Sequence, residues 1–312
     1  MNQVLSLISF LGIIGISLLA GFSRLYGWSF PVELFSHFQV QYLIASVLLL
    51  GFLFFTHYKE FFLIACLAVL FTSVNVITWY FPLNPIPAES NLRVLSYNVE
   101  NNNRHYEQVL AMVRKEDPDI AIFLEMDEVW IEKTTVLKNK LPYLLHSEKV
   151  DERGIVIYSR FPLANPSKNI YKISGKTALS TEIIVNQKPI HLIANHSPMP
   201  LNSFRDRNRQ LDILGTYIQS VEIPVILAGD FNLTMWSPYY RRLIKGTGFK
   251  NVRQGFGIFP SWPARSLFPL STQLFFIPID HCLVSPEIQV KSIHLGNNAG
   301  SDHFPLISDL FV

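Results

Sequence analysis

Charge is spread so unevenly along this chain that its two parts must fold in different solvents. Residues 1–82 hold only four Asp, Glu, Lys or Arg: Arg24, Glu33, Lys59 and Glu60. In residues 83–312 about 20% of residues are charged, not far below the soluble norm. This uneven spread, with a charged fraction of only 16% and a mean hydropathy of +0.24, excludes a wholly soluble protein and a disordered chain. A pure membrane bundle is excluded as well, because residues 83–312 are long enough to bury a core of their own.

Three runs lack any charge: Val4–Phe22, Val40–Thr56 and Phe61–Phe81. About 20 apolar residues span a bilayer core, so these runs predict three transmembrane helices. Met1-Asn2-Gln3 lacks the basic residues that begin a signal peptide. Trp28, Tyr42, Tyr58, Trp79 and Tyr80 sit near the ends of the runs, at the level of interfacial aromatics. Asn75, inside the third run, is placed to bond across helices. The organisation read from this pattern is a membrane anchor over 1–82, a Pro-rich linker over 83–90 and a globular domain over 91–312.

The globular part carries near-zero net charge, which counts against a strongly basic surface for gripping a nucleic-acid backbone. Its two-residue and 3.6-residue patterns predict strands at Arg93–Tyr97, Ile120–Leu124, Gly154–Ser159, Thr181–Val185, Ile190–Ala194, Val225–Ala228, Ile279–Val284 and Leu306–Phe311. They predict helices at Tyr106–Lys115, Val129–Leu141 and Phe204–Gln219, with another from Ser237-Pro238 to Gly246. Strands outnumber helices and several are adjacent, which favours packed mixed sheets with outer helices over a doubly wound parallel sheet. Cys66 and Cys282 lie in apolar runs far apart and predict no disulfide.

Polar residues recur where apolar strands stop: Asn98, Glu125, His196, Asp230 and Asn232, Asp280 and His281, and Ser301-Asp302-His303. Taken singly, each has an ordinary explanation as a turn residue or a structural histidine. Together they form a set rich in Asp, Asn, Glu and His, without a Gly-x-Ser-x-Gly, a Walker loop or zinc spacing. Hard oxygen ligands plus histidines suit Mg²⁺-assisted attack of water on phosphorus.

Ser96-Tyr97-Asn98, Leu124-Glu125, Asn195-His196, Gly229-Asp230-Phe231-Asn232, Ile279-Asp280-His281 and Gly300-Ser301-Asp302-His303 resemble, in order, the motifs of the endonuclease/exonuclease/phosphatase superfamily. The resemblance covers about residues 91–312. It implies an α/β fold, a four-layer sandwich of two packed mixed sheets with outer helices, here preceded by the three transmembrane helices. It also implies roles. Glu125 would be the main ligand of Mg²⁺, or of Mn²⁺ in its place, with Asn98 beside it and Asp302 in the metal or hydrogen-bond shell. Asp230 would orient or deprotonate the attacking water, and Asn232 would donate to a phosphoryl oxygen. His196 would bond the phosphate or protonate the leaving group. His303 would meet the phosphate as an imidazolium supported by Asp280, while His281 would be structural. Glu100 could assist the metal. Arg153 reads as a loop arginine or a phosphate contact, and Arg205, Arg207 and Arg209 read as a solvated helix face.

Three functions compete on the residues: a membrane-anchored hydrolase of a lipid-linked phosphate, diphosphate or phosphodiester; a Mg²⁺-dependent nuclease; and a non-catalytic membrane scaffold. The spans and short linker favour the first, with membrane lipids as partners and Phe256–Phe276 as a segment able to dip into the headgroups. On this reading the anchor places the substrate but does no chemistry, and a chain starting near Glu89 should fold and hydrolyse a small soluble phosphoester while losing far more activity on substrate in vesicles. His196-Ser197-Pro198-Met199-Pro200 and Ser261-Trp262-Pro263-Ala264 are similar to membrane members of the family, including teicoplanin-resistance-associated proteins that act on the polyprenyl diphosphate carrier. That similarity, with Lys59 in the short loop between two spans, places the domain on the outer face of a bacterial inner membrane.

Overall fold

The computed structural model describes residues 2–56, 59–83, 85–147, 154–168, 170, 178–265 and 275–312. With almost nothing to hydrate, the N-terminal runs form helices, whose backbone groups are satisfied within the segment. These are α1 (Asn2–Tyr26), α2 (Phe30–Ser36), α3 (Gln39–Phe54) and α4 (Lys59–Ile77). Gln3–Tyr26 and Glu60–Tyr80 are long and apolar enough to cross a membrane. The middle run differs from a simple span. Its helix α3 has 16 residues, about 24 Å at the helical rise and short of a bilayer core. It reaches spanning length only together with α2, from which it is bent by 62°. Asn75 bonds across helices as expected, donating to Gln39 Oε1 at 3.0 Å.

The remaining chain runs β1 (Leu92–Asn98), α5 (Tyr106–Glu116), β2 (Ile120–Met126), α6 (Glu128–Thr134), β3 (Tyr143–His146), β4 (Gly154–Ser159) and β5 (Ala164–Ser167). It continues through β6 (Ala178–Val185), β7 (Lys188–His196), α7 (Pro200–Gln219), β8 (Val225–Asp230) and α8 (Pro238–Thr247). It ends with β9 (Lys250–Asn251), β10 (Asp280–Val284), β11 (Gln289–Leu295) and β12 (Leu306–Phe311). Two six-stranded mixed sheets result, ordered β11-β12-β1-β2-β4-β3 and β5-β6-β7-β8-β10-β9. Each holds one parallel pair, β1 with β2 and β7 with β8, among antiparallel neighbours.

Alternation along the strands sorts side chains into layers. Val94, Ile122 and Ile157 of the first sheet meet Leu192, Ala228 and Cys282 of the second between the sheets. On the outer faces, Leu95 and Phe123 pack beneath Val109, Val113 and Trp130 of α5 and α6. Ile193 and Leu227 pack beneath Leu211, Leu214 and Leu243 of α7 and α8. The four-layer sandwich expected from the resemblance is therefore the observed fold. Both cysteines are free.

Several elements differ in extent from the periodicity. The helix expected over Val129–Leu141 breaks after Thr134 into a 3-10 turn at Thr135–Asn139. Helix α8 runs past Gly246 and stops at Gly248, which takes the left-handed conformation that ends helices. Edge strands β3, β5, β9 and β11 were not separable from loops in the sequence, because their faces are half exposed and do not alternate cleanly.

Gly229 is the tightest point between the central strands β7 and β8. Its φ is +144°, and a Cβ there would lie 1.9 Å from the Asn195 carbonyl oxygen. Gly229→Ala is expected to cost about 3 kcal/mol or more, as a clash with backbone that cannot move without breaking the ladder. Thermal unfolding of the purified variant checks this.

Candidate active site

Parallel strands end on the same side of a sheet, and the two sheets are stacked with these ends together. Asn98, Glu125, His196 and Asp230 stand at or next to the carboxyl ends of β1, β2, β7 and β8. Asp280 enters the same edge from the start of antiparallel β10, paired in register with Asp230. Asp302 and His303 reach it from the turn before β12. With Asn232, which bonds back to Asp230 from the following turn, the eight residues read as catalytic or metal-binding converge there.

Local backbone shapes the convergence. Glu125 sits at a register shift between β2 and β4. It has a φ of +64°, with Glu100 at +62° and Asn232 at +51°. Such conformations are costly for residues with a side chain and cluster at functional sites. The bulge turns the Glu125 side chain to the sheet edge and leaves it 25% exposed, against 2% for Asp230.

Hydrogen bonds join the two sheets across the site. The Asn98 amide donates to Glu125 Oε1 at 3.3 Å and to Asp230 Oδ2 at 3.2 Å. The Asn101 backbone donates to Glu125 Oε2 at 3.2 Å. Asn232 turns back on its own loop. Its backbone N–H donates to Asp230 Oδ1 at 2.8 Å, and its amide donates to the Ser197 carbonyl at 2.9 Å and to Asp230 Oδ2 at 3.3 Å. His196 Nε2 lies 3.5 Å from Glu125 Oε1. His303 Nδ1 is 2.8 Å from Asp280 Oδ2, while its Nε2 faces Asp230 Oδ2 and Asp302 Oδ1, both at 3.9 Å.

The electrostatics follow from this packing. Burial, then the Asp280 charge, push the Asp230 carboxyl well above the usual carboxylate range. Burial alone would push the His303 imidazole down. The Asp280 charge and hydrogen bond, then Asp230 and Asp302, outweigh it and raise His303 to about 10. Burial likewise pushes Asp280 up, but the His303 charge and hydrogen bond prevail and hold it low. The pair is therefore an imidazolium-carboxylate at neutral pH. His281 faces away from it. It contacts the Leu233 carbonyl at 2.9 Å, and burial together with Arg253 lowers it to about 3, so it stays neutral.

The sequence missed the supports of these residues. Ser261 Oγ accepts from the backbone N–H of Asp280 at 3.1 Å, and Trp262 Nε1 donates to Asp302 Oδ2 at 3.1 Å. Ser301 Oγ donates to the Asn98 carbonyl at 2.7 Å. Ser261-Trp262 and Ser197 belong to the quoted motifs, so the signal was present without its meaning. Glu100 accepts from the Asp302 backbone at 3.0 Å and pairs with Arg265. Arg205 and Arg209 are exposed, as expected of a solvated face. Arg207 is not: its side chain is fully buried, so the solvated reading fails for it. Its signal was helical spacing, since 207, 211, 214 and 218 share one face and the other three are core. Arg153 and residues 266–274 of the Phe256–Phe276 segment lie outside the described residues.

Among the described residues, five carboxylates (Glu100, Glu125, Asp230, Asp280, Asp302) surround the site, with His303, Arg265 and the buried Arg253 as nearby cations. The donors are oxygens and imidazole, with no thiolate, which suits a hard divalent cation. Among the described residues, ligand atoms of Asp230, Asp280 and His303 all lie within 4.8 Å of one another, so this group could also hold a metal ion. One Asp280 oxygen there is already taken by His303.

An acidic, amide- and imidazole-lined site at one edge of two stacked mixed sheets is the arrangement of the sandwich phosphoesterases. The chain belongs to the Endonuclease/Exonuclease/phosphatase family, whose model matches residues 95–303. Members of this superfamily are typically hydrolases of phosphoester bonds. Among solved structures it is similar to D. rerio TDP2 complexed with single strand DNA product, with TM-score 0.59 and 13% identity over 71% of this chain and 99% of that one. It is also similar to an endonuclease/exonuclease/phosphatase from Beutenbergia cavernae, with TM-score 0.57 and 18% identity over 72% of each chain. A third, a family protein from Leptotrichia buccalis, has TM-score 0.56 and 16% identity over 71% of this chain and all of that one. These likenesses show the fold. No curated protein sequence matches the chain.

Proposed function

We propose that this protein is a membrane-anchored, divalent-metal-dependent hydrolase of a phosphate, diphosphate or phosphodiester bond in a lipid-linked substrate. One observation carries the reading. The bent apolar pair α2–α3 is bonded to the segment that packs on Phe304, next to His303 of the site. Phe38 between α2 and α3 packs edge-on against Phe275, with centroids 6.3 Å apart, and Gln41 donates to the Phe276 carbonyl. A phosphate held in the site is thus beside the membrane part of the chain, where a lipid headgroup would be.

Glu125, Asn98 and Asp302 would hold Mg²⁺, or Mn²⁺, because Glu125 is the more open of the central carboxylates. The bound cation supplies neutralisation of the phosphoryl charge. The chain does the rest. Asp230, raised toward neutrality, accepts the proton of the attacking water. Asn232 donates to a phosphoryl oxygen. His196 donates to the phosphoryl group or the leaving oxygen, and the His303 imidazolium faces the charge that builds in the transition state, with Asp280 maintaining it.

The test uses full-length protein with Mg²⁺, offered polyprenyl diphosphate, sphingomyelin, phosphoinositides and plasmid DNA side by side. Cleavage of a lipid substrate, abolished by excess chelator, is expected. Full activity in chelator would remove the metal from the reading. A nuclease is the second reading. It is favoured by the likeness to TDP2, which was crystallised with single strand DNA product, and opposed by the near-neutral charge. Cleavage of DNA alone would select it, and no cleavage of any substrate would favour the scaffold.

The domain faces the outer side of a bacterial inner membrane in this proposal. Protease added to intact spheroplasts is expected to remove the chain beyond about Pro87. Protection until lysis would reverse the topology and point to cytoplasmic substrates.

A further inference from the structure

The loop that carries Asn232 is gripped by the membrane segment. Glu33 of α2 and Arg207 of α7 form a fully buried ion pair at 2.6 Å. The two Glu33 oxygens serve different ends of one loop. Oε1 accepts from Ser237 Oγ at 2.6 Å, and Oε2 accepts from Arg207. The other arm of Arg207 donates to the Asn232 backbone carbonyl at 2.9 Å. Between these ends, His37 Nδ1 lies 3.0 Å from Thr234 Oγ1, and the Asn75 carbonyl accepts from Trp236 Nε1 at 2.8 Å. Four of the six positions from 232 to 237 are held by groups from residues 33–75 or by Arg207, which Glu33 pairs.

Asn232 needs such restraint. Its φ of +51° is in the left-handed region, which asparagine tolerates but does not by itself fix. That conformation aims its N–H and amide at Asp230. A guanidinium can hold a carboxylate and a carbonyl together because its donors form a rigid fork; an ammonium is a point charge. Burying both ions is costly in itself and does not explain the pair as simple stabilisation.

We infer that Glu33 and Arg207 are positioning residues: the membrane segment, through this pair, sets the catalytic loop, so turnover depends on the anchor being folded against the domain. Residues 1–82 then do more than tether, and a chain starting near Glu89 would leave Arg207 without its carboxylate partner. The inference rests on the phosphoester reading of the site for its activity readout only.

The experiment uses the full chain in detergent micelles or nanodiscs. Glu33→Gln keeps the shape and removes the charge. Arg207→Lys keeps the charge and loses the fork, and it serves where Glu33→Gln does not fold. For a soluble probe, bis(p-nitrophenyl) phosphate with Mg²⁺, each variant is expected to lower kcat at least tenfold with KM within twofold. In an Asn232→Ala background the same change should cost less than twofold more, because its route is already cut. A full additional tenfold loss would overturn the inference. Hydrogen exchange gives a readout independent of activity. Amides of residues 231–237 should exchange at least tenfold faster in Arg207→Lys, with those of the β1–β2 ladder unchanged. Unchanged exchange in 231–237 would also overturn it. If wild type cleaves nothing, the phosphoester reading fails, and the exchange result still decides the coupling.

Discussion

Asp230→Asn is expected to lower turnover roughly 1,000-fold, within the range for losing a positioned proton acceptor. The carboxylate is nearly fully buried and takes donors on both oxygens, from the Asn232 N–H at 2.8 Å and from the Asn98 amide at 3.2 Å. An asparagine fills the same volume but must aim its own NH₂ at one of these donors. Its fold should survive, because losing a charge beside Asp280 relieves repulsion as it removes hydrogen bonds. His303→Ala should lose turnover on the same scale for a different reason, and it should also lower the melting temperature. It removes the imidazolium 2.8 Å from Asp280 and leaves the buried carboxylate only the Ser261 hydrogen bond and the Arg253 charge, so the carboxylate protonates more easily or is destabilised. Steady-state kinetics with matched thermal melts separates the two cases. Turnover near wild type in either variant would refute the roles assigned here.

The second large effect is on metal affinity. Glu125→Gln keeps the bulge, the φ of +64° and the side-chain length, and removes one anionic oxygen from the proposed hard-cation site. Altering an outer partner of a metal ligand typically costs about 10–100-fold, so losing a ligand should exceed that. The apparent metal constant is expected to rise by more than about 100-fold, read by calorimetry and by titrating Mg²⁺ in the assay. An unchanged constant would take Glu125 out of the metal site. It would leave the group of Asp230, Asp280 and His303 as the place to look.

The candidate site was legible in the sequence because strand ends are legible and because the motifs there resemble those of a known family. An apolar run of five or six residues that stops at Asn98, Glu125, His196 or Asp230 says where a sheet edge lies, and catalytic groups in such folds sit at those edges. The supports were not legible. Ser261, Trp262 and Ser301 act through single hydrogen bonds to residues elsewhere in the chain, and no local period reports such partners. The middle span was misjudged in shape for a related reason. Hydropathy measures the apolar length of Val40–Thr56 but not the bend that sets α2 at 62° to α3.

By itself the sequence determined the division between a charge-poor helical part and a charged globular part, the succession of strands and helices, and the identity of the acids, amides and imidazoles at the strand ends. Each of these follows from local composition or from a short repeat, which a chain carries whatever it packs against. Only the tertiary structure decided which carboxylates share a hydrogen bond and which imidazole becomes charged. It alone placed Arg207 inside the protein, against a glutamate 174 residues away. A charged side chain on a helix is solvated unless a partner arrives to replace its water. Whether one arrives is settled by how two distant surfaces meet, and no window of sequence contains both.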